Sequence, residues 1–247
     1  MRVAVLLLAV SAALAASARD GEPAPAGTPV LVELFTSEGC SSCPPADLLL
    51  ARLAAEQPVS GALVVPIALH VDYWNRLGWD DPFSSAAFTQ RQAAYAARFG
   101  NGGRVYTPQM IVDGRAEFVG SDERAARRAI QAAARESHAF VRVLPDDTGA
   151  AVSVAGAAAG ADVNLAVVAD GLASDVTRGE NAGKRLVHAA VARDLVAAGR
   201  VDTAGRFHAS VPVSSGRGAR RVFAFVQDRA TGRVLGVSVP VELPRPR

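Results

Sequence analysis

The sequence predicts an α/β domain followed by a small all-β, sandwich-like domain, with a redox or metal-binding turn in the first. Three observations carry this reading. An apolar run of strand length, Val30-Leu31-Val32-Glu33-Leu34-Phe35, leads into Cys40-Ser41-Ser42-Cys43-Pro44 and then into a helical pattern. A second strand pattern follows that helix, which makes a βαβ unit with a right-handed crossover. From Phe140 onward helical periodicity gives way to short alternating segments broken by turns. The chain of 247 residues allows one large or two modest domains, and 50% hydrophobic residues with 22 Gly and 14 Pro suit a turn-rich globular protein.

The N-terminus reads as an export signal over residues 1–18. Arg2 supplies the positive start, Val3 to Leu14 is apolar apart from Ser11, and Ala16-Ser17-Ala18 is a small-residue cleavage site. The apolar run is shorter than the ~20 residues of a spanning helix. Residues 19–29 read as a flexible tether. The mature chain is therefore expected in the periplasm or secreted, with no membrane span after cleavage. A formal charge of +2 and the lack of any run of five like charges argue against a nucleic-acid partner.

In the first region, Pro44 and Pro45 fit a first helical turn, and Ala46 to Gln57 places Leu49, Leu50 and Leu53 on one side. Pro58 stops that helix. Leu63 to Val71 is the second strand, and Pro66 within it suits an edge position. A polar and aromatic stretch, Asp72 to Phe83, precedes a helix capped by Ser84 or Ser85, lined by Phe88, Tyr95 and Phe99, and ended by Gly100. Gln109 to Val112 and Arg115 to Val119 flank Asp113-Gly114, a two-residue hairpin signal. A last helix starts at Gly120-Ser121-Asp122-Glu123 with a capping serine and runs to about Ser137.

In the second region, strands are expected at Phe140 to Leu144, Ala151 to Ala155, Val163 to Ala169, Phe207 to Val213, Arg221 to Gln227 and Val234 to Val241. Val187 to Ala198 is the one helix candidate there.

The order β-α-β-α-β-β-α with a cysteine pair after the first strand is that of the thioredoxin fold. The stretch Glu33 to Pro45, with His70-Val71-Asp72-Tyr73-Trp74 and Tyr106-Thr107-Pro108-Gln109, resembles the DUF1223 family of exported bacterial thioredoxin-like proteins. Arg178 to His188 resembles its C-terminal half, so the likeness spans nearly all of the mature chain. The resemblance implies a thioredoxin-like domain over residues 30–138, and the short alternating strands imply a β-sandwich-like domain over 139–247. The resemblance also implies that Thr107-Pro108 is the cis-proline turn facing the cysteines, where a substrate chain makes backbone contacts. Glu33 lies about where thioredoxins keep a buried carboxylate that relays a proton to the resolving cysteine, one residue out of register. Ser41-Ser42 replaces the usual Gly-Pro, and Gly39 replaces the usual aromatic residue before the first cysteine.

The chemistry follows from the turn. A disulfide across so few residues closes almost no loop, so stability alone is a poor reason for it. At a helix N-terminus the first sulfur is solvent-exposed and favoured as thiolate, which makes Cys40 the attacking sulfur and Cys43 the more buried, resolving one, while Glu38 opposes the thiolate. His70 ends the second strand on the same side of the sheet, so Cys40, Cys43 and His70 could approach a soft metal such as Cu(I). Trp74 and Trp79 either wall a substrate groove or fill the core. Glu180, Asn181 and His188 read as a turn and strand with structural roles, since no other metal-type ligand adjoins them. No hydrolase triad order or phosphate loop is present in a fitting context. Three readings therefore stand. One is thiol-disulfide exchange with a protein thiol or disulfide client, which requires no cofactor. The others are a Cu(I)-binding or metallochaperone protein and a redox-inactive interaction module.

Overall fold

A run such as residues 30–35, apolar at every position but Glu33, must be covered on both faces, and β1 (Thr28–Thr36), which contains it, is so covered. In the computed structural model, which describes residues 27–100, 102–136, 138–213 and 218–244, Val30, Val32 and Leu34 point to one face and Leu31, Glu33 and Phe35 to the other. The expected signal over 1–18 and most of the tether over 19–29 lie outside the described residues, and Thr28 and Pro29 already belong to β1. After the cysteine turn come α1 (Pro44–Glu56), β2 (Ala62–His70), a 3-10 turn (Asn75–Leu77), α2 (Ala86–Arg98), β3 (Gln109–Val112), β4 (Ala116–Val119) and α3 (Glu123–Ala133). Ser85 caps α2 by accepting from the Ala87 N–H, as the pattern allows. At α3 Asp122, not Ser121, makes the cap, its Oδ1 accepting from the Ala125 N–H at 2.8 Å.

The second region contributes β5 (Phe140–Pro145), β6 (Gly149–Ala155), β7 (Asp162–Ala169), β8 (Leu172–Asp175), β9 (Arg185–His188), β10 (Val191–Arg200), β11 (Arg206–Pro212), β12 (Arg220–Gln227), β13 (Val234–Val237) and β14 (Val241–Glu242). The helix expected from Val187 to Ala198 is instead the end of β9 and most of β10. Residues 191–200 pair with β7 through two register shifts, at Ala192/Asp194 and Ala197/Gly199, which break the alternation that would have marked a strand.

The predicted α/β thioredoxin-like domain followed by a small sandwich is not what forms. The described residues hold fourteen strands against three α-helices, and nine strands make one mixed sheet in the order β13-β12-β7-β10-β2-β1-β3-β4, with β14 also on β12. The joint is β10 beside β2, where Val191 pairs with Ala68 and the Ala68 N–H donates to the Ala190 carbonyl at 2.8 Å. Pro66 was expected to mark an edge; β2 is internal, with a single pair on its β10 side, beyond the proline. A missing N–H shortens a ladder without forbidding it.

Core packing follows the shared sheet. One face carries Leu31, Phe35, Ile67 and Leu69 from the first region together with Ala166, Val168, Phe223 and Phe225 from the second, against Phe88 and Tyr95 of α2. The opposite face is covered in two pieces. Helices α1 and α3 pack on Val30, Val32, Leu34, Val64 and Met110. The three-stranded sheet β11-β6-β5 packs on Val163, Leu165, Val167, Val222 and Val226. The two regions also meet at the β3–β4 hairpin, where Gly114 has φ 61° and a Cβ there would run into the Gly232 carbonyl, so only glycine fits.

Candidate functional site

The turn between β1 and α1 holds a Cys40–Cys43 disulfide. Cys43 is the residue that precedes α1, and its carbonyl accepts from the N–H groups of Ala46 and Asp47. Cys40 was expected to be the exposed sulfur and Cys43 the buried one. Both residues have no accessible surface, whereas Ser41 and Ser42 between them are exposed. The Cys40 Sγ lies 3.3 Å from the Ser42 hydroxyl.

Behind the turn lies a set of buried titratable side chains drawn from both regions. Glu38, two residues before Cys40, is fully buried with both carboxylate oxygens engaged: Oε1 by His188 Nε2 at 3.0 Å and Oε2 by the Trp79 indole N–H at 2.9 Å. Its backbone N–H donates to Asp81 Oδ2, which also pairs with His70 Nδ1 at 2.7 Å. Burial alone would lower the His70 pKa, but the hydrogen bond and charge of Asp81, with Asp47 and Glu38, raise it above the ordinary value. Burial likewise pushes the Asp81 carboxyl up, and His70 with the Glu38 and Phe83 N–H groups brings it below the usual range. The two directions agree on a charged pair. Asp47, one helical turn past Cys43, accepts from the Thr36 hydroxyl at 2.8 Å, and its other oxygen lies 3.9 Å from His188 Nδ1. Burial raises its pKa. The rings of His70 and His188 meet edge to face at 4.8 Å, with Phe83 edge-on to both.

A loop from the second region closes over the turn. Glu180 Oε2 accepts from the Ser41 N–H at 2.9 Å and from its hydroxyl at 2.7 Å, which holds the Glu180 carboxyl below the usual range. The Asn181 side-chain amide donates to the carbonyls of Glu38 and Cys40, both at 2.9 Å.

The expected site residues fare differently. The Thr107-Pro108 peptide bond is cis; Pro108 is buried beside Gly120, which also touches Ala46 of α1, and Thr107 Oγ1 accepts from the Trp74 indole N–H at 2.8 Å. Trp74 packs on Gly39, directly before Cys40. Both tryptophans are thus placed at the turn. Glu33 is not. It is buried on the opposite face of the sheet from α1, bound to Arg91 Nε and to the Tyr95 hydroxyl at 2.6 Å each. Side chains alternate faces along a strand, so the one-residue offset from the thioredoxin position places it on the wrong side of the sheet. His70 is at the site, but its Nδ1 serves Asp81, its Nε2 is buried with no hydrogen-bond partner, and the two sulfurs are bonded to each other. Among the described residues no three His, Cys, Asp or Glu side chains are arranged to hold a metal ion.

Sequence reasoning assigned Glu180, Asn181 and His188 to structural roles and passed over Asp47 and Asp81. The usable signals were two. Asp47 follows Cys43 by four residues, the spacing that stacks side chains on one helical face. The stretch 178–188 also resembles the same family as the cysteine stretch, which hinted that the two belong together.

The DUF1223 family, described as a protein of unknown function, matches residues 31–227. A protein from Agrobacterium tumefaciens, solved by X-ray crystallography, is 28% identical with a TM-score of 0.72, over 89% of this chain and 96% of that one. The chicken interferon gamma receptor alpha chain matches 56% of this chain and 59% of its own at 13% identity and a TM-score of 0.28, which is too low to carry an argument. No curated protein matches the chain.

Proposed function

Because the chain belongs to the DUF1223 family, whose description names no activity, we propose from the site itself that it carries out thiol-disulfide exchange through Cys40 and Cys43. The observation that carries this reading is a disulfide between cysteines three apart, set at the start of a helix against buried acids and histidines. Such a bridge constrains little of the unfolded chain, so its chemistry rather than its stability explains it. The step balances within the pair. A client thiolate attacks one sulfur, the Cys40–Cys43 bond breaks, and the other sulfur leaves as thiolate and takes up a proton. A second client thiol then attacks the mixed disulfide, so the client is oxidised by two electrons and the protein reduced; the reverse reaction reduces a client disulfide.

Solvent access does not rank the two sulfurs, since both are covered. Cys40 remains the attacking sulfur on two other grounds. The Ser42 hydroxyl is placed to donate to a Cys40 thiolate, and the opposing Glu38 carboxylate is already held by His188 and Trp79. With a peptide that carries an internal disulfide as the client, Cys43→Ser should accumulate a mixed disulfide, its Cys40 thiolate displacing one peptide sulfur as thiolate, and Cys40→Ser none. A disulfide that stays closed across glutathione buffers, with no adduct in either variant, overturns the exchange reading.

Cu(I) capture is a second reading, supported by the Nε2 of buried His70, which has no hydrogen-bond partner and would ligate on giving up its proton. Titration of the reduced protein with Cu(I), lost in Cys40→Ser and weakened in His70→Ala, tests it. Either activity belongs outside the cytoplasm, where the N-terminal pattern directs the chain. N-terminal sequencing of the exported form should then start at Arg19, and an intact Met1 start would overturn the export reading. Among the described residues no helix is long and apolar enough to cross a membrane.

A further inference from the structure

The strands β8 and β9 pair only with each other and join neither of the other sheets. A two-stranded hairpin is marginal by itself, so something else must hold this one in place. Its tip, residues 176–184, closes on itself through Val176 N–H to Lys184 O at 2.9 Å and Gly183 N–H to Val176 O at 2.8 Å. The side chains of Glu180 and Asn181 reach from it to the cysteine turn. Glu180 takes the Ser41 N–H and hydroxyl, fully buried Asn181 bridges the Glu38 and Cys40 carbonyls, and Lys184 Nζ steadies Asn181 Oδ1 at 2.9 Å. At the base of the hairpin His188 is bound to Glu38. Trp79, itself tied to Glu38, packs against Gly179 from the other side.

We infer that the loop joining β8 to β9 is a latch over the Cys40–Cys43 disulfide, and that Glu180 and Asn181 set how readily a thiol reaches the sulfurs. Both cysteines have no accessible surface although Ser41 and Ser42 between them face solvent, and Glu180 and Asn181 hold the backbone of that turn from both sides of Cys40. Opening requires loss of two hydrogen bonds from Asn181 and two to Glu180, with no strand pairing to the main sheet to break. Local openings of this kind cost far less than global unfolding. The latch gives the exchange reading its control, but it is tested with a small dithiol and no client, so the two fail separately.

The test follows reduction of the oxidised mature chain by dithiothreitol, quenched with N-ethylmaleimide and read by mass. A dithiothreitol thiolate attacks one sulfur and displaces the other as thiolate. The second dithiothreitol thiol then resolves the mixed disulfide, leaving a cyclic disulfide and two reduced cysteines. Asn181→Ala removes two buried hydrogen bonds and should speed reduction about tenfold. Glu180→Ala, at an exposed position, should speed it about threefold. Arg185→Ala, which removes only the exposed Asp175 pair on the same hairpin, should leave the rate unchanged. Low urea should accelerate wild-type reduction much less steeply than it promotes global unfolding. Rates equal to wild type in both latch variants overturn the inference. So does acceleration that rises with urea as steeply as unfolding itself, because the sulfurs are then reached by loss of the whole fold. Faster reduction of the latch variants combined with no client adduct in Cys43→Ser leaves the latch in place and removes the exchange reading.

Discussion

Replacement of Glu33 by alanine is expected to lower folding stability by about 3 to 5 kcal/mol, because it leaves the Arg91 guanidinium without its charge partner. Glu33 is 1% exposed at its side chain and Arg91 14%, so solvent screens the pair weakly. Arg91 also donates to Gln227 Oε1 at 3.1 Å and lies over the Tyr95 and Phe225 rings, each 5.1 Å from its carbon. Gln227 in turn donates to the Tyr95 hydroxyl at 2.8 Å. Burial alone would lower the Arg91 pKa, but the Glu33 charge raises it, so the arginine stays charged and cannot escape by losing its proton. Since Glu33 and Arg91 belong to the first region and Gln227 and Phe225 to β12, the network fastens the two regions together. Urea unfolding of Glu33→Ala and wild type measures the loss. A change under about 1 kcal/mol, the size of an ordinary exposed pair, would show that this network does not hold the fold.

Asp113→Asn should have the opposite sign. The carboxyl is fully buried at the β3–β4 turn, where Oδ1 accepts from the Leu31 N–H at 2.8 Å and Oδ2 has no hydrogen-bond partner. Burial pushes its pKa up to about 7, with Glu33 adding to the rise and the Leu31 N–H and Arg115 opposing it. His138 Nε2 stands 4.0 Å from Oδ2 but bonds the Ala133 carbonyl. In the unfolded chain an aspartate titrates near ~3.9. Between about pH 4 and 7 the folded protein therefore binds more protons than the unfolded chain, and stability falls as pH rises, then levels off above the folded pKa. Asparagine keeps an oxygen for Leu31 and suits the φ of 46° at this position. Asp113→Asn is expected to be about 2 to 4 kcal/mol more stable than wild type at pH 8 and nearly equal at pH 4. Urea midpoints at pH 4, 6 and 8 decide it, and parallel pH profiles for the two proteins would refute the buried-charge account.

Asp113 and Glu33 also show where sequence reasoning stops. Asp113-Gly114 was legible as a hairpin turn because the turn needs positive φ at both positions, and the pair has φ 46° and 61°. That the same aspartate would be sealed under the second region, with its carbonyl accepting from Val234, was not, because burial of a polar turn depends on a partner more than a hundred residues away. The buried state of Cys40 has the same origin. The helix start alone implies an exposed sulfur, whereas the Asn181 amide that donates to the Cys40 carbonyl lies 141 residues downstream.

By itself the sequence determined the strand and helix segments of the first region, the six strand segments found from β5 to β13, the cysteine turn at the start of α1, and membership of the family that matches residues 31–227. Those follow from local periodicity, caps, prolines and turn residues, each read within one stretch of chain. Only the tertiary structure decided that β10 lies beside β2, that nine strands form one sheet, and that Glu180, Asn181 and His188 meet the disulfide turn. Strand pairing is carried by backbone groups common to every residue, and the choice of neighbour follows from which apolar faces can be covered together. The joint in the sheet is one residue pair deep, between Ala68 and Val191, and leaves no pattern in either strand.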